Sequence, residues 1–164
     1  MLLAEGSAIE AKPFSIGMRI EHLQEDIDAA MYGDFAGHPA LGHAEYQLSW
    51  DTARRGVYTF CMCPGGEVVA AASNENTVVV NGMSYHARAS KNANSAIAVS
   101  IFPSDFGGTP DGAMQYRERI ERAAYLAGGG CYRAPAYTVG ALLEEPRDDV
   151  RLPKDEPPTR RHRD

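Results

Sequence analysis

Basic residues are scarce where a polyanion would need them. The 164-residue chain carries 16 Lys plus Arg against 22 Asp plus Glu, a formal charge of −6, and its first 140 residues contain no Lys/Arg-rich run. That balance argues against a nucleic-acid backbone or an anionic membrane surface as partner. Nowhere do apolar residues approach the roughly 18 in a row that a bilayer span needs. Met1-Leu2-Leu3-Ala4-Glu5 also lacks the basic start and long apolar middle of a signal peptide, so the chain is expected in the cytoplasm. There are only three cysteines, Cys61, Cys63 and Cys131. An odd count without an export signal excludes a disulfide scaffold and makes reduced thiols the expectation. Gly-x-Ser-x-Gly, Walker, His-Glu-x-x-His and Gly-x-Gly-x-x-Gly patterns are all missing, so a self-contained catalyst is not legible.

What the chain has in quantity is glycine and proline, 16 and 10 residues, gathered in clusters such as Pro64-Gly65-Gly66, Gly107-Gly108 and Gly128-Gly129-Gly130. Clustered glycine marks tight turns or close backbone approach. Phe14, Ile16, Met18 and Ile20 alternate with Ser15, Gly17, Arg19 and Glu21, the period of a half-buried strand. A short helix is expected over 23–32, with Leu23, Ile27, Ala30 and Met31 on its inner face. Strands follow at 46–50, 57–62, 67–72, 77–80 and 96–102, with Ser73-Asn74-Glu75-Asn76 as a hairpin turn. The clearest helix spans 110–127: Thr109 is its N-cap, Pro110 suits the first turn and Gly128 ends it. There Ala113, Tyr116, Ile120, Ala123 and Ala127 form the inner stripe, while Arg117 with Glu121 and Glu118 with Arg122 make i,i+4 pairs on the other face. A shorter helix is expected over 136–144. The result is an α+β domain over 1–143, built on a mainly antiparallel sheet with a few packed helices.

The segment 144–164 differs. It holds six basic residues, seven acidic ones and four of the ten prolines, with only Val150 and Leu152 as sizeable apolar side chains. Such a composition cannot bury enough surface to offset its ordering entropy, and a disordered tail is expected.

Three stretches carry side chains suited to chemistry. Cys61-Met62-Cys63-Pro64-Gly65-Gly66 reads as a soft-metal chelate, a redox pair, or two small buried residues entering a Pro-Gly-Gly turn. No second pair supplies the four ligands of structural zinc, so no metal site is expected. Asn81-Gly82-Met83-Ser84-Tyr85-His86-Ala87-Arg88, with Asn92-Ala93-Asn94-Ser95, reads as a polar surface loop or as a loop that orients a polar ligand. His22, His38 and His43 sit near turns without a recurring ligand spacing. Gly128-Gly129-Gly130-Cys131-Tyr132-Arg133-Ala134-Pro135 reads as a helix stop and flexible connector.

Taken in order, Pro13-Phe14-Ser15-Ile16-Gly17-Met18-Arg19-Ile20-Glu21-His22, Tyr58-Thr59-Phe60-Cys61-Met62-Cys63-Pro64-Gly65-Gly66, the Asn81 to Asn94 stretch and Tyr132-Arg133-Ala134-Pro135 resemble the middle portion of the uncharacterised bacterial FAD-dependent (NAD(FAD)-utilising) dehydrogenases. The likeness covers about residues 1–144. It implies an inserted domain of a split-Rossmann flavoprotein, with Met1 to Gly6 as the end of a helix. It further implies Rossmann-type FAD-binding segments, in cis or in trans, as partners, and a small molecule as substrate. FAD would then be the cofactor without being held by this chain alone.

The resemblance places Cys61, Cys63, Pro64, Gly65, Gly66, Asn81, Gly82, Met83, Ser84 and Arg133 on the cofactor side and makes His86 and Arg88 the catalytic candidates. Hydride transfer needs donor and acceptor at van der Waals contact, so Gly65 and Gly66 would allow close approach while His86 and Arg88 hold an anionic or carbonyl-bearing substrate. The divergent 144–164 segment implies a truncated gene product or half of a split enzyme. The alternative is a stand-alone binding or vestigial domain without turnover.

Overall fold

A computed structural model describes residues 6–143. The expected helix end at 1–6, apart from Gly6, and the tail at 144–164 lie outside the described residues. Within them the chain is α+β, with strands β1 (Phe14–Leu23), β2 (Ser49–Asp51), β3 (Gly56–Cys63), β4 (Gly66–Ala71), β5 (Val79–Ser84) and β6 (Asn92–Ile101), and helices α1 (Gln24–Tyr32), α2 (Pro110–Ala127) and α3 (Val139–Leu143). Four strands form a sheet in the order β1-β6-β3-β2, and β4 pairs with β5 as a separate two-stranded ribbon. Every pairing is antiparallel.

β1 and β6 are the spine. They pair over their full ten residues, from Phe14 opposite Ile101 to Leu23 opposite Asn92. At one end, Phe14 packs on Phe106 with ring centroids 5.4 Å apart and edge-on to Tyr116 of α2 at 6.3 Å. Such pairs add about 0.5–1.5 kcal/mol each beyond their burial. Arg55, just before β3, is clamped to the same end: its guanidinium grips Asp105 through both terminal nitrogens, at 2.7 and 2.5 Å, and donates to the Ser100 carbonyl at 2.7 Å. α2 begins where the cap residue predicts, with Thr109 Oγ1 accepting from the Gly112 N–H at 3.0 Å.

Two helix faces differ from expectation. On α2 the inward residues include Ala113, Tyr116, Ile120, Glu121 and Ala124, whereas Ala123 and Ala127 are exposed. The Arg117–Glu121 pair therefore lies at the packed edge and not on the solvent side. On α1, Ala30 and Met31 are exposed and the one buried residue is Gln24. In both helices a long polar side chain takes the buried place: Gln24, whose amide bonds to backbone groups of Gly65 and Ala44, and Glu121, which pairs with Arg117.

Two strands also run longer than the sequence suggests. Asn81 to Ser84 belong to β5 and Asn92 to Ser95 to β6, so the expected 81–94 loop shrinks to 85–91. Alternating hydrophobicity is missing there because inward positions are taken by Gly82, Asn94 and Ser95, which pack against polar groups. Conversely, the strand expected at 46–50 shortens to Ser49–Asp51, and the ribbon turn is wider than four residues, running over 72–78.

Candidate functional site

β3 slips out of register beside the cysteines. Phe60 faces Ala96 and Cys63 faces Asn94, so three steps along β3 match two along β6 and one residue bulges out. Cys61 at the bulge has φ +50°. A left-handed non-glycine costs about 1–3 kcal/mol and persists only where its surroundings hold it. What holds it is Arg19 of β1, whose two terminal nitrogens both donate to the Cys61 carbonyl at 3.2 Å. Arg19 Nη1 also donates to Asn94 Oδ1 at 2.5 Å and lies 3.9 Å from Cys63 Sγ. Burial pushes the Cys63 thiol up, and the Arg19 charge opposes that rise.

The β4–β5 ribbon lies over this cluster at a glycine. A Cβ on Gly82 would sit 2.2 Å from Arg19 Nη1 and 2.3 Å from Asn94 Oδ1. Any side chain there would dislodge the guanidinium or lift the ribbon. Asn94 is fully buried, and its Nδ2 has no hydrogen-bond partner.

Beyond the bulge, Cys63, Pro64, Gly65 and Gly66 are all buried. Gly65, with φ +51°, packs against the Arg88 backbone, and its carbonyl accepts from the Ser90 N–H at 3.3 Å. Ser84 Oγ donates to the Pro64 carbonyl at 2.9 Å. Gln24, the first residue of α1, binds this turn to the rest: its Oε1 accepts from the Gly65 N–H at 2.9 Å, its Nε2 donates to Asp28 and to the Ala44 carbonyl, and its own N–H donates to the Lys91 carbonyl at 3.0 Å. Asp28 is pushed up by its partial burial, but donation from the Ala44 N–H, His43 and Gln24 outweighs this and holds its carboxyl below the ordinary carboxylate range.

The 85–91 loop is thus pinned at its base with its side chains outward. Tyr85, His86 and Arg88 are exposed. The Arg88 backbone is left-handed, φ +48°, and its guanidinium pairs with Glu45 at 3.1 Å. Among the described residues four non-glycine residues have positive φ: Cys61, Asn76, Arg88 and Tyr132. Asn76 is of a type that tolerates this region in turns, whereas the other three are not. Each of those three lies in one of the motifs singled out from the sequence.

The fold brings Cys61, Cys63, Pro64, Gly65, Gly66, Gly82, Ser84 and the Arg88 backbone into one connected cluster. Asn81 and Met83 lie on the outward side of β5; Asn81 Oδ1 accepts from the Gly82 N–H at 2.9 Å. His86 stands at the loop tip. Arg133 is placed elsewhere, after α2, where its carbonyl abuts Gly128. Among the described residues no three His, Cys, Asp or Glu gather as a metal site. Arg19 and Gln24 were missed as site residues. Arg19 falls on the polar side of the β1 alternation and Gln24 beside the acidic residues that open α1, so neither stands out from its neighbours in the sequence.

A family model described as "FAD-dependent protein, C-terminal domain-like" matches residues 13–160. The chain belongs to that family. A protein of Clostridium beijerinckii (strain ATCC 51743 / NCIMB 8052), described as uncharacterized, is 49% identical over 148 residues, which is 88% of this chain and 28% of the relative. The chain therefore spans little more than a quarter of that relative's length. Family membership makes this a flavoprotein-associated α+β domain. Among the described residues no helix is long and apolar enough to cross a membrane.

FAD is the group the family implies, and the motif residues divide against it. Gly65 and Gly66 are no cradle for it: a Cβ on Gly66 would sit 2.6 Å from Ser84 Oγ and 2.7 Å from the Met83 carbonyl, so the space these glycines leave is filled by the chain itself. The exposed members, Cys61, Asn81, Met83, His86 and Arg88, offer a thiol, an amide, a thioether, an imidazole and a guanidinium cation. That set can supply hydrogen bonds and one positive charge at the rim of a flavin ring, while the filled Gly65-Gly66 turn offers no open glycine turn to a pyrophosphate.

Proposed function

We propose that the chain supplies the substrate-facing side of an FAD-dependent oxidoreductase whose Rossmann-type dinucleotide-binding segments lie in cis or in trans. The observation that carries this reading is the strained Arg88, next but one to His86, on an exposed loop whose base is fixed by Gly65 and Gln24. Backbone strain on a surface loop is kept at the expense of stability, and such strain clusters at functional sites. FAD, when bound, supplies the two-electron chemistry. The role of this chain's residues is to orient the substrate: the Arg88 guanidinium holds a carboxylate or carbonyl oxygen, and His86 donates or takes a proton beside it. Cys61, Asn81 and Met83 would border the ring, and Arg133 would join them only where the dinucleotide-binding segments bring the α2 end close.

A non-catalytic binding role is the second reading, favoured by the Arg88–Glu45 ion pair, which already engages the guanidinium. Grafting residues 12–143 into the Clostridium beijerinckii relative in place of its matching region separates the two. The chimera should be a flavoprotein, and His86→Ala or Arg88→Ala should slow its turnover more than it weakens FAD retention. With the loop covered by the dinucleotide-binding segments of the chimera, removing a charged donor from it costs about 2–4 kcal/mol of transition-state stabilisation, about 30-fold to 10³-fold in rate. Turnover unchanged in both variants would overturn the assignment.

A further inference from the structure

Within the Arg19 cluster lies a pair of thiols, of which the flavin reading uses only Cys61, and that only as a border of the ring. We propose that Cys61 and Cys63 form a redox-active dithiol whose oxidant is a small-molecule disulfide. The two have the division of labour such a couple needs: Cys61 is exposed and open to attack a reagent, whereas Cys63 is buried behind it. Cys63 Sγ lies 3.5 Å from the Cys61 carbonyl.

In a regular strand, residues two apart stand about 6.6 Å apart with parallel side chains, at the far end of the 4.4–6.8 Å range a disulfide accepts. The bulge breaks that regularity at Cys61. The closeness of the thiols is already felt, since the Cys61 thiol helps to raise Cys63. Arg19 Nη1, 3.9 Å from Cys63 Sγ, supplies the cation that favours the thiolate against its burial. Cys131 takes no part; its Sγ sits against the Gly128 carbonyl, in the connector after α2.

The chemistry balances as thiol–disulfide exchange. The Cys61 thiolate attacks one sulfur of RSSR, forming a mixed disulfide and expelling one RS⁻. The Cys63 thiolate then attacks the Cys61 sulfur, forming the Cys61–Cys63 bond and expelling the second RS⁻. Two electrons pass from the dithiol to the reagent, and the two thiol protons end on two RSH. Since glutathione disulfide alone is the oxidant in the test, the inference stands or falls apart from the flavin reading.

The full chain, reduced and desalted, would be incubated with glutathione disulfide, quenched by alkylation and cut with trypsin. The sequence makes the product easy to read, because Cys61 and Cys63 share the fragment 56–88 and Cys131 falls in 123–133. In the wild type, fragment 56–88 should lose two hydrogens and carry neither glutathione nor alkyl groups. Cys63→Ser should trap one glutathionyl group on Cys61, and in Cys61→Ser the Cys63 thiol should react at least about ten-fold more slowly than Cys61 does in the wild type. Wild-type protein that keeps glutathione on Cys61 while Cys63 remains alkylatable would overturn the proposal. So would two unreacted thiols. Both outcomes are read on the wild type, so a poorly folded variant cannot obscure them.

Discussion

The carbonyl oxygen of Arg88 stands 1.8 Å from the point where a Cβ on Gly65 would be. Loop and turn therefore meet backbone to backbone, and the contact exists only because position 65 is glycine. Gly65→Ala has two costs: a left-handed φ, about 1–2 kcal/mol for a residue with a Cβ, and an overpacked contact, about 1–3 kcal/mol. Gly37 provides the control, since its φ is +78° but nothing lies within 4 Å of its Cβ position. Urea unfolding should show Gly37→Ala losing about 1 kcal/mol and Gly65→Ala at least about twice that. Equal losses would mean that the 85–91 loop simply moves aside.

Acid stability should carry the mark of Asp105. The Arg55 guanidinium and the Phe102 N–H hold its carboxyl at about 2, against an ordinary 3.8. A carboxyl depressed in the folded state binds its proton more readily when unfolded, so its contribution is full above the unfolded value and fades as pH falls through the folded one. The window is therefore pH 3.8 down to about 2. Wild-type unfolding free energy should decline across it, and Asp105→Asn should flatten that part of the curve. Profiles that stay parallel through the window would show that the ion pair contributes no pH dependence.

The parts of the fold that could be read from sequence are those governed by one local rule. β1 declared itself through the alternation from Phe14 to Ile20, and α2 through Thr109, Pro110 and Gly128, because capping and period are properties of neighbouring residues. Asn81 to Ser84 and Asn92 to Ser95 look like loop in the sequence because their partners are distant: Gly82 is small so that Arg19 and Asn94 can pass beneath it. The same limit applies to the site. The Cys-x-Cys turn and the His86–Arg88 loop stand out by composition, yet their joining through Gln24 and Gly65 is a three-way contact that no spacing encodes.

Binding of FAD to this chain by itself should be weaker than about 1 mM. The sequence has no Gly-x-Gly-x-x-Gly, and the glycines of the buried turn are occupied by the chain's own atoms. A pyrophosphate normally needs an open glycine turn at a helix N-terminus, and without it the adenine half adds little affinity. The purified chain should be colourless, and flavin fluorescence should be unchanged on titration. A yellow preparation, or saturation at micromolar flavin, would place the missing affinity in residues other than these motifs.

Two ion pairs on α2 share a spacing and differ in burial, which makes them a test of where the helix face lies. Arg122 donates to Glu118 at 2.9 Å with both side chains largely in water, 49% and 41% exposed. Arg117 donates to Glu121 at 3.3 Å, and that glutamate side chain is only 11% exposed. Its Oε2 is buried without a hydrogen-bond partner, while its backbone carbonyl accepts from the Val78 N–H at 3.1 Å. Exposed pairs are worth about 0.3–0.5 kcal/mol, whereas leaving a buried carboxylate without its partner costs its desolvation, about 1–3 kcal/mol. Arg122→Ala should therefore lower the unfolding free energy by less than about 0.5 kcal/mol and Arg117→Ala by about 1–2 kcal/mol. In Glu121→Met the charge is gone, so adding Arg117→Ala to it should cost far less than Arg117→Ala does alone. If the two arginine variants lose equally, Glu121 is solvated and the inner stripe runs through Ala123 and Ala127 after all.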